Sequence, residues 1–126
     1  MWRPRVLIAE DNCDLRLLYT FMLSGAGFDV STADDGREAL ASLREARPDV
    51  LITDIQMPVM DGLELIRRVR DETELSDLPV LAISAMGDDY LQEALMAGAT
   101  ETINKPFDPH DLFDRVLLLL PKQGGH

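Results

Sequence analysis

Five short apolar runs, separated by longer segments in which apolar residues recur every three or four positions, constrain the fold of this chain most strongly. The runs at 5–9, 49–53 and 79–84 consist mainly of Val, Leu, Ile and Ala. Such continuous runs are typical of parallel strands that are covered on both faces. The runs at 28–32 and 100–104 are more polar, which favours edge strands. Strands that alternate with helical segments predict βαβ units and therefore one parallel sheet with right-handed crossovers.

The segments between the runs predict amphipathic helices, because their apolar residues follow the i, i+3, i+4, i+7 spacing of one helical face. Gly25 and Gly27 are expected to end the first helix and Gly98 the fourth, while Asp108 is expected to begin the fifth. The positions that this spacing assigns to the buried faces of the first four helices are Leu15, Leu18, Tyr19, Met22, Ala39, Leu43, Ala46, Leu63, Ile66, Val69, Leu91, Ala94 and Leu95.

The last helical segment, from 108 to about 120, carries two apolar rows instead of one: Leu112, Val116 and Leu119 form the first, and Phe113, Leu117 and Leu120 form the second. One row is expected to pack on the sheet. The other row has two interpretations that the sequence leaves open: it serves a partner or a second copy of the chain, or it is one of the scattered apolar surfaces that proteins commonly expose.

Length and charge limit the classes of protein that this chain can represent. Its 126 residues predict one domain over 1–120, followed by a short tail at 121–126. No apolar run approaches the ~20 residues that cross a bilayer, so no membrane span is expected. The net charge of −11 argues against direct binding of nucleic acid and suits a cation or a basic partner. A single Cys13 and the lack of a signal-peptide pattern favour the cytoplasm.

Polar side chains follow four of the five apolar runs, at the point where each run ends. In an open parallel sheet, ligands bind beyond the carboxyl ends of the strands. One edge of the sheet is therefore expected to collect three carboxylates, a hydroxyl and an ammonium, if the inner strands are neighbours. The residues at that edge are Glu10, Asp11, Asp54, Ser84, Asn104 and Lys105.

Each of these residues also has a simpler interpretation. Asp11 could cap a helix, and Ser84 could cap a helix or bond to its own loop. Lys105 alone is most often a solvated side chain. Asp54 differs, because it directly follows an apolar run, and Asp61 is the natural cap of the third helix. For Asp54 a functional role is the better interpretation. Because all of these polar residues are expected at one edge of the sheet, we extend that interpretation to the others.

Three crowded carboxylates repel one another unless a cation is present. The small, hard cation that accepts carboxylates, a carbonyl oxygen and several waters is Mg²⁺. The sequence contains no Cys and His cluster for zinc. A divalent ion and the ammonium of Lys105 around a carboxylate form a site for a phosphoryl group, whose oxygens need that charge during transfer. Ser84 could donate a hydrogen bond to one of those oxygens.

Four motifs at the ends of apolar runs, "LIAEDN", "LITDIQMPVMDG", "LAISA" and "NKPF", resemble those of a known family. In this order they are similar to the receiver domain of bacterial two-component response regulators, the family that includes the chemotaxis response regulator. The resemblance runs from about 5 to 120. It implies a flavodoxin-like, doubly wound α/β fold: a five-stranded parallel sheet of order 2-1-3-4-5, flanked by five helices.

The resemblance also implies a chemical role for several residues. Asp54 matches the aspartate that accepts a phosphoryl group from a phosphohistidine on a sensor kinase or a histidine phosphotransfer protein. Asp11 and Asp54 match direct ligands of Mg²⁺, the backbone carbonyl of Gln56 matches a further ligand, and Glu10 matches an acid that acts through water. Lys105 matches the lysine that pairs with the phosphoryl group.

Further positions match residues of the family that respond to phosphorylation or tune its lifetime. Ser84 matches the hydroxyl that turns toward the phosphoryl group. Gln56 and Met86 match positions that border the path of the hydrolytic water. Lys105 precedes a proline through a bond that is usually cis in the family. Thr102 stands where the family often has an aromatic switch residue, which puts that form of switching in doubt.

The expected function is therefore a phosphorylation-driven switch, not an enzyme that acts on an external substrate. The resemblance implies an output through the fourth helix, fifth strand and fifth helix to a downstream protein or an attached domain, with a homodimer as a further option. The rival interpretations are a phosphatase with an aspartate nucleophile, a receiver-like module that is never phosphorylated, and a receiver cut from a hybrid kinase. Gln56 disfavours the phosphatase, because such enzymes carry a second Asp there as general acid.

Overall fold

The structure is a computed structural model that describes residues 3–121, in which strands and helices alternate along the chain. Of the predicted tail at 121–126, only Pro121 falls within the described residues. The five strands are β1 (Arg5–Ala9), β2 (Asp29–Ala33), β3 (Val50–Asp54), β4 (Val80–Ser84) and β5 (Glu101–Asn104). The five helices are α1 (Cys13–Gly25), α2 (Gly36–Glu45), α3 (Gly62–Asp71), α4 (Asp88–Ala97) and α5 (Pro109–Leu119).

The strands form one parallel sheet in the order β2-β1-β3-β4-β5, which confirms the predicted topology. β1, β3 and β4 lie inside, and the two more polar strands form the edges, as their composition indicates. The register places Asp54 beside Ile83 and Ser84 beside Asn104, so these strands end close together at one edge. That edge is called the rim below: it comprises the carboxyl ends of β1, β3, β4 and β5 and the residues that follow them.

Two apolar cores lie on opposite faces of the sheet, because successive residues of a strand point to opposite sides. Leu51 of β3 joins the core under α2, α3 and α4, while the next residue, Ile52, joins the core under α1 and α5. All five residues of β3 and of β4 are buried. The central strands are therefore covered on both faces, as their continuous apolar composition predicts.

Most of the helices begin and end where the sequence indicates. Asp61 and Asp108 cap α3 and α5 through side-chain oxygens that accept backbone N–H groups. Gly27 follows α1 with φ of 99° and Gly98 follows α4 with φ of 121°, a left-handed conformation that favours glycine. The cap of α1 is Asn12, whose side chain accepts from the Leu15 N–H, so the interpretation of Asp11 as that cap is wrong.

Three positions predicted to be buried are exposed. Leu18 is 49% exposed, because the buried face of α1 centres on Tyr19 and Leu23 and leaves Leu18 at its margin. Leu95 of α4 is 41% exposed for the same geometric reason. Ala46 follows the last residue of α2 and is already in extended backbone, so it no longer shares the face of the helix.

The two apolar rows of α5 divide between core and surface. Leu112 and Val116 are fully buried against the sheet. In the other row, Leu117 is 46% exposed, whereas Phe113 and Leu120 are partly buried against the same core. Leu118 belongs to neither row and is 76% exposed. Within residues 3–121, none of the helices combines the length and apolarity that a membrane crossing requires.

Gly62, the first residue of α3, packs directly against the end of β3, and its replacement tests this contact. A Cβ at Gly62 would run into the Asp54 carbonyl oxygen and lie 2.8 Å from the Ile55 Cα. We expect Gly62→Ala to lower the free energy of unfolding by about 1–3 kcal/mol, measured by urea denaturation. Gly25→Ala is the control, because a Cβ there meets nothing within 4 Å. Equal stability of the two variants would contradict this packing.

Candidate functional site

Three carboxyl groups meet at the rim, as the sequence predicts. Glu10 and Asp11 follow β1, and Asp54 is the last residue of the neighbouring β3. Each side chain offers one carboxylate oxygen, and these oxygens lie within 4.8 Å of one another. Glu10 and Asp54 are buried, whereas Asp11 is exposed. A cluster of hard oxygen donors with one open side has the chemistry of a Mg²⁺ site.

Lys105 joins the two buried acids. Its Nζ lies 2.7 Å from Asp54 Oδ2 and 3.3 Å from Glu10 Oε1. The Lys105 side chain is 17% exposed, so the interpretation of Lys105 as a solvated side chain is wrong. The backbone N–H of Lys105 donates to the Ser84 carbonyl, and the Lys105–Pro106 peptide bond is cis. The ammonium thus reaches the acids from a strand that lies two positions away from β3.

Each buried acid uses its two oxygens in the same way. One oxygen faces Lys105, and the other accepts a backbone N–H: Asp54 Oδ1 accepts from Gln56 at 3.1 Å, and Glu10 Oε2 accepts from Asn12 at 3.1 Å. Both carboxylates are therefore held by the chain that directly follows them. This arrangement fixes the orientation of the Asp54 carboxylate, and a fixed orientation favours reaction with a group that approaches from one side.

Burial and charge shift the pKa values of the groups at the rim. Burial raises the pKa of Glu10 to about 7, and the nearby Asp54 adds to this effect, while the Asn12 N–H and Lys105 oppose it. Burial lowers the pKa of Lys105, but its hydrogen bond with Asp54 and the charges of Asp54 and Glu10 together raise it above its ordinary value. One ammonium faces three carboxyl groups, so the cluster favours a further cation.

The Ser84 hydroxyl has two partners at the rim. It accepts the Met86 N–H at 3.0 Å, so Ser84 bonds to its own loop, which was the simpler interpretation of this residue. It also donates to Gln56 Oε1 at 3.2 Å, a contact that the sequence did not indicate. The side chain of Met86 is 58% exposed and lies beside this loop at the surface. Ser84 therefore contacts both the Gln56 side chain and the Met86 backbone.

Two further side chains near the rim were found by the structure and not by the sequence. Arg16 of α1 donates from Nη1 to the Glu10 carbonyl at 2.8 Å, which holds the turn between β1 and α1. The Tyr19 ring stacks on Phe107, with ring centroids 5.6 Å apart, beneath the loop that carries Lys105. An arginine or tyrosine on a helix has no spacing signal that separates it from an ordinary surface or core residue.

Thr102 lies in β5 but outside the acidic cluster. It pairs with Ala82, two residues before the rim, and its carbonyl accepts a hydrogen bond from Arg115. Thr102 lines a groove of about 570 Å³ between α4 and α5, with Asp88 and Asp111 among the other lining residues. The small side chain at this position therefore borders an open polar groove.

The fold and the rim define a flavodoxin-like α/β domain with three carboxyl groups clustered where β1 and β3 end. The family model for the response regulator receiver domain matches residues 6–117. The chain therefore belongs to the response regulator receiver domain family, a family of signalling domains, and the resemblance read from the motifs is confirmed.

Three proteins illustrate the similarity. The transcriptional regulatory protein PrrA of Mycobacterium leprae is 40% identical over 97% of this chain. The chemotaxis protein CheY4 of Vibrio cholerae is 37% identical, with a TM-score of 0.89 over 94% of this chain and 100% of that chain. The receiver domain of the sensor histidine kinase PA1611 from Pseudomonas aeruginosa has a magnesium ion coordinated in its active site cleft. It is 29% identical, with a TM-score of 0.83 over 92% of this chain and 95% of that chain.

The chain spans only part of the curated relatives that it matches. It covers 52% of the length of PrrA and 12% of the sensor histidine kinase TmoS of Ectopseudomonas mendocina.

The buried ion pair predicts that replacing Lys105 lowers the free energy of unfolding much more than replacing an arginine of an exposed ion pair. Lys105→Met leaves Glu10 and Asp54 without their ammonium, so we expect a loss of about 3 kcal/mol in the free energy of unfolding, measured by urea denaturation in EDTA. Arg68→Met is the matched control, because the Arg68–Glu64 pair is exposed and lies one helical turn apart. We expect its loss to stay below about 0.5 kcal/mol. Similar losses in both variants would contradict the assignment of a buried ion pair.

Proposed function

We propose that this domain is a phosphorylation switch in which Asp54 accepts a phosphoryl group from a phosphohistidine on a sensor kinase or a histidine phosphotransfer protein. The observation that carries the proposal is the Asp54 carboxylate itself: it is buried at the end of a strand, bonded to Lys105 at 2.7 Å, and next to two further acids. A carboxylate in that position is oriented for attack and faces the positive charge that a phosphoryl group needs.

In the proposed reaction an Asp54 oxygen attacks the phosphorus atom of the phosphohistidine. The new P–O bond forms as the P–N bond breaks, and the electron pair of that bond stays on the histidine nitrogen. The backbone N–H of Gln56, on Asp54 Oδ1, keeps the carboxylate in position. Lys105, which contacts Asp54 Oδ2, lies close enough to exchange that contact for a phosphoryl oxygen.

The residues at the rim fit a Mg²⁺ ion as a cofactor. Asp11, Asp54 and the Gln56 carbonyl would hold it directly, and Glu10 would act through a water. The fit rests on three carboxylate oxygens within 4.8 Å of one another and on the exposed position of Asp11. Bound Mg²⁺ would supply positive charge to the phosphoryl oxygens during transfer.

The switch would pass its state to a partner through α4, β5 and α5. Phosphorylation of Asp54 would draw Ser84 and Lys105 toward the new charge and move the loops that lead to these elements. Their exposed apolar side chains support such a contact, in a complex with a downstream protein, an attached output domain or a second copy of the chain. These side chains are Leu95, Met96, Leu117 and Leu118.

The position of Thr102 bears on the form of the switch. Thr102 is too small to replace an aromatic ring, so signalling would depend on the backbone of β5 and α4, and Gln56 and Met86 would set the lifetime of the phosphorylated state. The net charge of −11 disfavours direct contact of this domain with nucleic acid. We place the domain in the cytoplasm, where a kinase of this kind obtains ATP, either as an independent regulator or within a longer protein.

Labelling with acetyl phosphate tests the phosphoacceptor. We expect the protein to gain one phosphoryl group in Mg²⁺, seen by intact-mass spectrometry, and Asp54→Asn to abolish this gain. EDTA or Asp11→Asn is expected to slow labelling by about 100-fold or more, because the transfer loses its main electrostatic stabilisation. Asp61→Asn is the matched control: it lies in the same loop, and Asn replaces Asp well as the cap of α3.

Three outcomes of this experiment would contradict the proposal. Labelling that survives in Asp54→Asn would mean a different acceptor. Labelling at an unchanged rate in EDTA would mean that the transfer does not need Mg²⁺. A wild-type protein that takes no phosphoryl group from acetyl phosphate or from a kinase would favour the receiver-like module that is never phosphorylated. In a separate assay, hydrolysis of a generic phosphomonoester would favour the phosphatase.

A further inference from the structure

The hydroxyl of Ser84 is already engaged in this structure. A hydroxyl has one proton to donate. Ser84 donates that proton to Gln56 Oε1 at 3.2 Å, while its oxygen accepts the Met86 N–H at 3.0 Å. Ser84 is also fully buried, so water does not compete for it. A phosphoryl oxygen at Asp54 can receive the Ser84 proton only after the contact with Gln56 has broken.

Gln56 is placed to connect the phosphoacceptor with Ser84. Its backbone N–H donates to Asp54 Oδ1 at 3.1 Å, and its side-chain oxygen accepts from Ser84. The other end of the amide, Nε2, is buried and has no hydrogen-bond partner among residues 3–121. Within the described chain, Ser84 is therefore the one polar contact of this amide, and a single hydrogen bond holds the two side chains together.

We propose that the Gln56 side chain is a latch that holds the Ser84 hydroxyl in the unphosphorylated state and competes with the phosphoryl group for its proton. Gln56 is thus a positioning residue that acts through Ser84, in addition to any backbone contact with a metal. The proposal rests on the proposed function, because it names what regulates the same site. Phosphorylation would exchange one acceptor of the Ser84 proton, the amide oxygen, for another.

The latch changes the equilibrium between the two states of Ser84 by the free energy of one hydrogen bond of ordinary strength. The net free energy of such a bond corresponds to about a 2- to 12-fold change in an equilibrium constant. Removing the amide oxygen should therefore favour the state in which Ser84 binds a phosphoryl oxygen by that factor. Methionine suits the replacement, because it matches glutamine in length and has no strong acceptor. The Gln56 carbonyl belongs to the backbone and stays in place.

A double-mutant cycle with beryllofluoride, an analogue of the phosphoryl group, tests the latch. Its dissociation constant is measured by calorimetry at saturating Mg²⁺ for the wild type, Gln56→Met, Ser84→Ala and the double variant. We expect Gln56→Met to bind beryllofluoride about 2- to 12-fold more tightly than the wild type. In the Ser84→Ala background the same replacement should leave the affinity unchanged, since no hydroxyl remains to be released.

Two controls separate the latch from a general disturbance of the loop. The dissociation constant of Mg²⁺ alone is measured for each variant, and the beryllofluoride affinities are compared at Mg²⁺ concentrations that saturate each of them, so that a change in metal binding does not enter the comparison. Gln56→Leu serves as a second variant if Gln56→Met unfolds. In the protein without beryllofluoride, Ser84→Ala should shift the nitrogen resonance of the Gln56 side-chain amide, since that amide loses its partner.

The latch is overturned by equal affinities of Gln56→Met and the wild type for beryllofluoride, or by an equal gain with and without Ser84. An unchanged Gln56 amide resonance in Ser84→Ala also overturns it. Each of these results leaves the proposed function intact, because the wild type still binds the analogue. A wild type that binds no beryllofluoride overturns the proposed function and the latch together.

Discussion

The contact between the Lys105 ammonium and the Asp54 carboxylate is the interaction on which the rest of the site depends. Two carboxyl groups, those of Asp54 and Glu10, are buried at the rim, and a buried charge needs a partner of opposite sign. The partner comes from β5, which is separated from β3 by the whole of β4. Neighbouring strands lie about 4.8 Å apart, so a long side chain is required to cross that distance.

The parallel sheet satisfies this requirement through its register. Ser84 pairs with Asn104, so Lys105 begins one residue beyond the end of β4, at the level where the acids lie. The backbone N–H of Lys105 donates a hydrogen bond to the Ser84 carbonyl, which fixes the position of Lys105 relative to the end of β4. Gly62 brings α3 against the carbonyl of Asp54 from the other side. The approach of Asp54 and Lys105 to the adjacent acids Glu10 and Asp11 is therefore a consequence of strand order and register, since Asp54 and Lys105 are distant from that pair in sequence.

Much of this arrangement could be predicted from the sequence, because apolar runs and helical periods report burial directly. The strand order, the edge strands and the residues of the rim follow from them and from the family resemblance. The errors have local causes: periodicity leaves the angular centre of a helix face uncertain, as at Leu18 and Leu95, and several polar residues compete for one cap, as Asp11 and Asn12 did. The Ser84–Gln56 bond depends on side-chain rotamers, which spacing does not encode. Val59 has φ of 69°, and this left-handed conformation could not be predicted because the position holds neither Gly nor Asn.

The roles proposed for the rim can be tested together in one measurement, a crystal structure of the protein grown with Mg²⁺ and beryllofluoride. The account predicts beryllium bonded to an Asp54 oxygen, fluorine atoms in contact with Lys105 Nζ and Ser84 Oγ, and the metal on Asp11, Asp54 and the Gln56 carbonyl. A structure in which Lys105 remains on Asp54 Oδ2, with beryllofluoride absent or bound to a different residue under saturating conditions, would contradict it.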